Sequence, residues 1–429
     1  MSSPYKTAAF HTLGCKVNFT ETSSISESFQ AKGVSLVPFD QFADIYVINT
    51  CSVTENANLK CNRIVRSLKR KNPNSFIAIT GCYAQLKPKE LSTNKDVDLV
   101  VGTENKMDIA DIIISDNTKK NDYVSDIKNI NQFTPSYSLA DRVRSFIKIQ
   151  DGCDYNCSFC TIPMARGKSR SAKIDDILII IEELKAKGFN EVVLSGINLG
   201  DFGVGTDETC YDLLNELNNI SQIPRIRISS IEPNLLTNKI IDLLGTSKKI
   251  MPHLHIPLQS GSNKILKLMK RRYTREFYER KIKLIKNKIP NISIGVDVIT
   301  GFPSETENDF QKTYDLLNSL EVSYLHVFTY SERENTVGAT MKSKIPQKIR
   351  NERSKKLRAL SDILKSRFII NNMDKNHQVL IESKDDEIVQ GYTGNYIKVK
   401  IMDKSLNINQ LVDIKPTVQY SDHMVGSLE

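Results

Sequence analysis

Residues 145–171, SFIKIQDGCDYNCSFCTIPMARGKSRS, hold the pattern from which the architecture can be read. SFIKIQ (145–150) is a short, partly β-branched apolar run and reads as a buried strand. Cys153, Cys157 and Cys160 follow at once in a C-x3-C-x2-C triplet. Loops at the carboxyl ends of parallel strands are where βα barrels and open α/β sheets build their sites. Similar runs recur at 191–196, 225–230, 253–257, 292–300 and 322–330, with helical patterns at 173–188, 262–271, 274–289 and 306–319. About six βα units in series imply a partial (β/α)6 TIM-like barrel over residues 142–345.

Upstream, three isolated cysteines share one context. AAFHTLGC ends at Cys15, DIYVINTC at Cys51 and FIAITGC at Cys82, each an apolar run closed by small or turn-forming residues. Helix-compatible stretches follow, so residues 1–115 read as a parallel-sheet βα domain whose cysteines converge at one sheet edge. One such cysteine alone would read as a small buried hydrophobe; three in the same placement read as ligands. Cys61 falls inside a helical pattern and Cys210 at a helix start, and both read as structural. Residues 116–141 are polar and weakly periodic, a linker.

The chain has 429 residues, a net charge of +9 and eight cysteines, with 40% hydrophobic and 25% charged residues. That composition excludes wholesale disorder and fibrous repeats. The Ile177–Ile181 apolar run is far short of the roughly 20 residues that span a bilayer. No secretory signal pattern opens the sequence, so a reducing, cytoplasmic setting is expected, with cysteines as thiols or metal ligands. Residues 346–370 read as a basic amphipathic linker helix, and 371–429 as a small all-β barrel with strands near 377–383, 387–393, 395–401 and 410–420. The positive charge is patchy. Residues 59–71 carry six basic and no acidic residues, 264–288 eleven against two, and 342–367 ten against two. Each could be a solvated helix face; together with a β barrel they fit a phosphate-tracking surface for RNA.

Structural zinc is almost always closed by four ligands, and neither a histidine nor a fourth cysteine follows the triplet nearby. Three thiolates on an iron–sulfur cubane instead leave one iron open for an outside ligand. The segment 148–171 resembles the radical S-adenosylmethionine enzymes. More closely it resembles the methylthiotransferase family, in which an IPxxRGxxRS element follows the triplet; Ile162, Pro163, Arg166, Gly167, Arg170 and Ser171 match it. LSGINLGDFG, RISSIEP, HIPLQSGSNKILKLMKRRYT and DVITGFPSET also resemble that family, as do the contexts of the three upstream cysteines. The C-terminal module resembles the family's RNA-binding TRAM domain, weakly.

The resemblance implies two [4Fe-4S] clusters, one on Cys153, Cys157 and Cys160 and an auxiliary one on Cys15, Cys51 and Cys82. It implies S-adenosylmethionine as cofactor, its cleavage to a 5′-deoxyadenosyl radical, and sulfur insertion at an unactivated C–H bond of a tRNA base. It further implies a reductant protein such as flavodoxin or ferredoxin. HTLGCKVN (11–18) resembles the branch acting on N6-threonylcarbamoyladenosine at tRNA position 37. The alternatives are N6-isopentenyladenosine, a ribosomal-protein aspartate and, outside catalysis, a zinc-stabilised RNA-binding protein. For cofactor contact the candidates are Phe159, Ser195, Gly196, Asn198, Arg227, Ser229 and Gln259, with Glu305 weaker. Arg166 and Arg170 are candidates for substrate contact. His253 and His255 alternate on a strand and read as structural.

Overall fold

The computed structural model describes residues 5–52, 54–114, 121–139 and 143–429. The N-terminal part is a six-stranded parallel sheet. Its spatial order is Ser35–Leu36, Thr7–Thr12, Ile45–Thr50, Phe76–Gly81, Leu99–Val101 and Asp122–Tyr123. Helices cover both faces, which is why the central strands are apolar throughout. Ile45, Val47 and Ala78 face Ile25 and Phe29 of the helix Lys16–Ala31. Tyr46, Ile48, Ile77 and Ile79 face Cys61, Val65 and Leu68 of the helix Glu55–Lys71. The strand order reverses between Thr7–Thr12 and Ile45–Thr50, so a crevice opens at their carboxyl ends.

Six parallel strands then form the open barrel: Arg144–Lys148, Glu191–Ser195, Arg225–Ile228, His253–His255, Ser293–Thr300 and Tyr324–Thr329. Isolated bridges Ile226–Ile250 and Ser230–His255 join the third strand to the fourth. Alternate residues, among them Ile147, Val192, Leu194, Ile226, Leu254, Val296 and Leu325, join the surrounding helices in one core. The intervening positions point the other way, into the barrel. Among the described residues the last strand does not pair with the first. The helix Lys16–Ala31 packs across the first strand, and Gln347–Ile370 packs along the last.

The segment read as a linker is more ordered than its composition suggests. Asp122–Tyr123 extends the first sheet, and Ser136–Tyr137 pairs antiparallel with the first barrel strand. Backbone polar groups trapped between two domains must be paired, and these short strands pair them. The expected boundaries at 115/116 and 141/142 fall outside the described residues.

Residues 377–428 form a closed five-stranded barrel. The strand Met424–Leu428, short and interrupted by Gly426, has too little alternation to be read from sequence. The barrel sits on the floor of the open one. Glu191, fully buried, meets Arg225 Nε at 2.8 Å and Arg227 Nε at 3.0 Å. Both arginines also donate to backbone carbonyls of the small barrel: Arg225 to Thr393 at 2.9 Å and Arg227 to Gly394 at 2.9 Å. The Tyr396 ring lies 4.7 Å from the Arg227 guanidinium. Burial alone would raise the Glu191 carboxyl, but Arg227, Arg225 and Arg144 overcome it and hold it down at about 2.

Glu191→Gln should therefore strand two buried guanidinium groups and lower unfolding free energy by about 3–5 kcal/mol in denaturant titration. The carboxylate's stabilisation is complete above its ordinary pKa of about 4.3 and lost as pH falls toward its native value. The variant should lack that acid-dependent loss; an unchanged acid profile would contradict the pairing.

Candidate active site

The C-x3-C-x2-C loop leaves the first barrel strand through Gly152, whose φ is +72°. A Cβ there would lie 1.9 Å from the Lys168 carbonyl oxygen, so only glycine fits. Ser158 anchors the loop: its Oγ donates to the Leu268 carbonyl at 2.6 Å, and its own carbonyl accepts from Gly338 N at 2.7 Å. The three sulfurs have donors aimed at them. Tyr155 N approaches Cys153 Sγ at 3.4 Å, Ile162 N approaches Cys160 Sγ at 3.4 Å, and Arg271 Nη1 approaches Cys157 Sγ at 3.2 Å. Hydrogen bonds to sulfur favour the thiolate. Burial pushes free Cys153 and Cys160 up to about 12 and raises Cys157 as well. A metal reverses this outright, because a coordinating thiol loses its proton. The donor set therefore fits a thiolate-bound cluster. Among the described residues no three cysteine, histidine or carboxylate side chains cluster as around one metal ion.

Cys15, Cys51 and Cys82 follow three neighbouring strands of the first sheet and so lie along its carboxyl edge. A Cβ on Gly14, where φ is +109°, would lie 2.6 Å from Cys51 Cβ; one on Gly81 would lie 2.4 Å from the Thr50 carbonyl oxygen. These glycines let the three loops close on one another. Asn18 ties two of them, donating from Nδ2 to the Leu13 and Thr50 carbonyls at 2.9 Å each. The short helix after Cys82 packs on the short helix after Cys160. That packing brings Cys82 toward Cys160.

Between the two sets lies a buried charge network. Arg166, 1% exposed, donates from Nη1 to Glu21 Oε1 at 3.0 Å and to Asp151 Oδ1 at 2.8 Å, and from Nη2 to Asn18 Oδ1. Lys106 and Lys148 also meet Glu21, and Arg170 meets Asp151 at 3.3 Å. Burial alone would raise both carboxyls, yet Arg166 and the lysines hold them well below the carboxylate range. Burial draws Lys106 down to about 8, against the pull of Glu21. The sequence had offered Arg166 and Arg170 as substrate contacts. The structure gives both another place: Arg166 is sealed inside this network, and Arg170 donates to the Arg166 and Gln132 carbonyls.

Of the expected cofactor residues, Ser195, Gly196, Asn198, Ser229 and Gln259 lie on the carboxyl rim of the barrel, where the triplet also lies. Ser229 Oγ and Gln259 Oε1 are buried there without a partner among the described residues. Ser195 Oγ donates to the Val193 carbonyl, and Asn198 to Asp201. Gly196 has a packing reason, since a Cβ would sit 2.9 Å from Gln150 Oε1. That oxygen accepts from Ile197 N and Asn198 N, binding the second strand's loop to the first. Phe159 packs, partly exposed, against the Ile265, Met269 and Phe302 cluster. Arg227 lies below the rim, where it donates to Glu191 and to the Gly394 carbonyl of the small barrel. Glu305 accepts from Gly301 N and pairs with Arg353.

Sequence reading missed Asn18, Glu21, Lys106, Lys148, Asp151 and Arg271. It also overstated the basic surface. Arg271 is buried against Cys157 and Glu232, while Arg350 and Arg353 are buried against Glu332 and Glu305. Lys60, Arg63, Arg66 and Arg70 remain exposed along one stretch of the helix after Cys51.

Two family models match the chain: the Radical SAM superfamily over residues 147–317, and Uncharacterized protein family UPF0004 over residues 7–102. The fold is similar to a radical S-adenosylmethionine methyltransferase, TsrM from Kitasatospora setae, with TM-score 0.58 and 14% identity over 75% of this chain and 73% of that one. A thiol triplet at the mouth of an open parallel barrel thus places the protein in the radical SAM superfamily. The chain is 38% identical to the threonylcarbamoyladenosine tRNA methylthiotransferase MtaB of Bacillus subtilis, over 95% of this chain and 93% of the relative. It is 40% identical to the Aquifex aeolicus protein of that name, over 91% and 96%. A Staphylococcus epidermidis tRNA-2-methylthio-N(6)-dimethylallyladenosine synthase is 30% identical over 96% and 82%. Within the superfamily, the chain belongs to the MtaB-type methylthiotransferase family.

Cys61 and Cys210 are buried in the helix-packed cores, and burial pushes both thiols up to about 12. Cys61→Ala and Cys210→Ala should each leave iron and acid-labile sulfide unchanged while costing about 1–2 kcal/mol of stability from the small cavity. Loss of iron in either variant would make that cysteine a ligand.

Proposed function

We propose that this protein inserts a methylthio group at C2 of N6-threonylcarbamoyladenosine at position 37 of tRNA, giving 2-methylthio-N6-threonylcarbamoyladenosine. What supports this reading is the similarity of the chain along its length to MtaB-type enzymes, together with the packing of the helix that starts at Cys82 on the helix that follows Cys160. C2 of an adenine has no proton that a side-chain base removes at neutral pH, so cofactors must supply the chemistry. When bound, a cluster on Cys153, Cys157 and Cys160 with S-adenosylmethionine supplies hydrogen abstraction, and an auxiliary cluster on Cys15, Cys51 and Cys82 supplies sulfur.

The chain's own residues provide the rest. Arg271, Tyr155 N and Ile162 N stabilise the thiolates of the triplet. Ser229 and Gln259 offer buried polar atoms on the rim for S-adenosylmethionine. Asn18, Glu21 and Arg166 fix the spacing of the two triads, and positioning of this kind contributes much of catalysis. The exposed cations on Glu55–Lys71 run outward from Cys51 and suit the phosphates of an anticodon stem; the C-terminal barrel, as a TRAM-like module, would extend that surface. RNA bases are read in splayed loops, which suits a nucleoside beside the anticodon. A flavodoxin or ferredoxin would supply electrons. No helix among the described residues is long and apolar enough to cross a membrane.

The direct test is nucleoside mass spectrometry of tRNA from a strain lacking the gene. 2-Methylthio-N6-threonylcarbamoyladenosine should disappear and its precursor accumulate; persistence of the product would refute the substrate assignment. In the purified, anaerobically reconstituted protein, Cys15→Ala should abolish sulfur insertion yet retain S-adenosylmethionine cleavage. Loss of cleavage with the Cys153 cluster still loaded would contradict this division of labour.

A further inference from the structure

The barrel interior carries a second polar group that neither the thiols nor the cofactor rim uses. Strand register builds it: Gly295 stands between His255 and Tyr324, and Asp297 stands opposite His326. His255 Nε2 lies 2.8 Å from Asp297 Oδ1, and the His255 and His326 rings are 5.0 Å apart. Tyr324 meets the His326 ring edge-on at 5.2 Å. Lys16, the residue after Cys15, reaches the same space from the other domain. Its Nζ lies 5.9 Å from the ring centre of Phe146 on the first barrel strand, which borders the barrel's open side. Its charge acts on both His326 and His253. Deeper residues of this interior, Arg227 and Phe146, are buried, but Lys16 and His326 are exposed and His255 and Asp297 half-buried. A ligand entering the open side meets them first.

We propose that Lys16, His255 and His326, arranged around Asp297, form the pocket that receives a carboxylate-bearing substituent on N6 of the target base. The proposal rests on the functional reading above and names the residues that choose the substrate. A threonylcarbamoyl group ends in a carboxylate and also carries a ureido N–H and a hydroxyl. Lys16 supplies the positive charge for the carboxylate, and imidazole N–H groups donate to its oxygens. Asp297, which orients the His255 ring, accepts from the ureido N–H or the hydroxyl. A neutral His326 ring offers one N–H to donate and one ring nitrogen to accept. An N6-alkyl substituent offers none of these partners. A site built to hydrogen-bond a substituent rejects the analogue that lacks it, because its polar groups are left unpaired.

The test is steady-state kinetics of the reconstituted holoprotein on two synthetic anticodon stem-loops, one bearing N6-threonylcarbamoyladenosine and one bearing N6-isopentenyladenosine. Lys16→Gln should raise KM for the first RNA about tenfold or more, leave kcat within about threefold and narrow the discrimination between the two RNAs. Lys16→Arg, which keeps the charge, should restore most of the affinity. Because Lys16 adjoins Cys15, iron content and S-adenosylmethionine cleavage are measured in parallel, and His326→Phe, remote from both triads in sequence, should shift KM in the same direction. Wild-type KM and wild-type discrimination in both Lys16→Gln and His326→Phe would overturn the pocket. Failure of the wild-type protein on the threonylcarbamoyl RNA would overturn the functional reading itself, and the pocket with it.

Discussion

The contact on which the rest of the structure depends is the buried bridge from Arg166 to Glu21 and Asp151. It joins the helix that follows Cys15 to the short helix that follows Cys160. Desolvating four cations and two carboxylates is costly, and such a network is tolerable only when its members are paired. That cost makes the network a geometric device. Arg166 occupies its place only when both domains are docked, because Glu21 and Asn18 come from one and Asp151 from the other. Asn18 extends the bridge to the Leu13 and Thr50 carbonyls beside Cys15 and Cys51. One guanidinium thus reports the position of each triad to the other.

Two familiar α/β constraints supply what this bridge joins. A parallel sheet places the residues after its strands on one edge, and an open parallel barrel does the same around its rim. Each edge carries three thiols. The small C-terminal barrel does not hang from a flexible tether: Glu191, Arg225 and Arg227 seat it on the barrel floor. The small barrel is therefore held in a fixed relation to the rim. Arg333 adds a further tie, donating from Nη2 to Ser52 Oγ at 2.8 Å beside Cys51.

Legibility in the sequence followed the physics of each feature. Strands buried on both faces are continuous apolar runs, so all six barrel strands and the three cysteine-bearing strands stood out. The placement of the six cysteines at strand ends was legible because each follows such an apolar run directly, and strand ends are where parallel sheets bind ligands. The charge network was not. Asn18 and Glu21 sit on a helix whose buried face is polar over its first turns, and periodicity searches look for apolar faces. Lys106, Lys148 and Asp151 are distant in sequence and meet only through tertiary packing. Arg271 was read as surface charge for the same reason: a run of cations does not announce which of them turns inward. Arg166 was noticed through its motif, but its partners Glu21 and Asn18 were not legible, since they lie on a helix far upstream.

Arg166 couples the two cysteine sets by geometry and not by charge alone. Lys in its place keeps the charge but cannot make the forked contact with two carboxylates and Asn18. The decisive measurement is the ratio of methylthiolated product to S-adenosylmethionine cleaved in anaerobically reconstituted Arg166→Lys with full iron and sulfide. The account predicts that cleavage persists while this ratio falls about tenfold or more, as misplacement by a fraction of an ångström does in positioned reactions. A wild-type ratio in the fully loaded variant would contradict it.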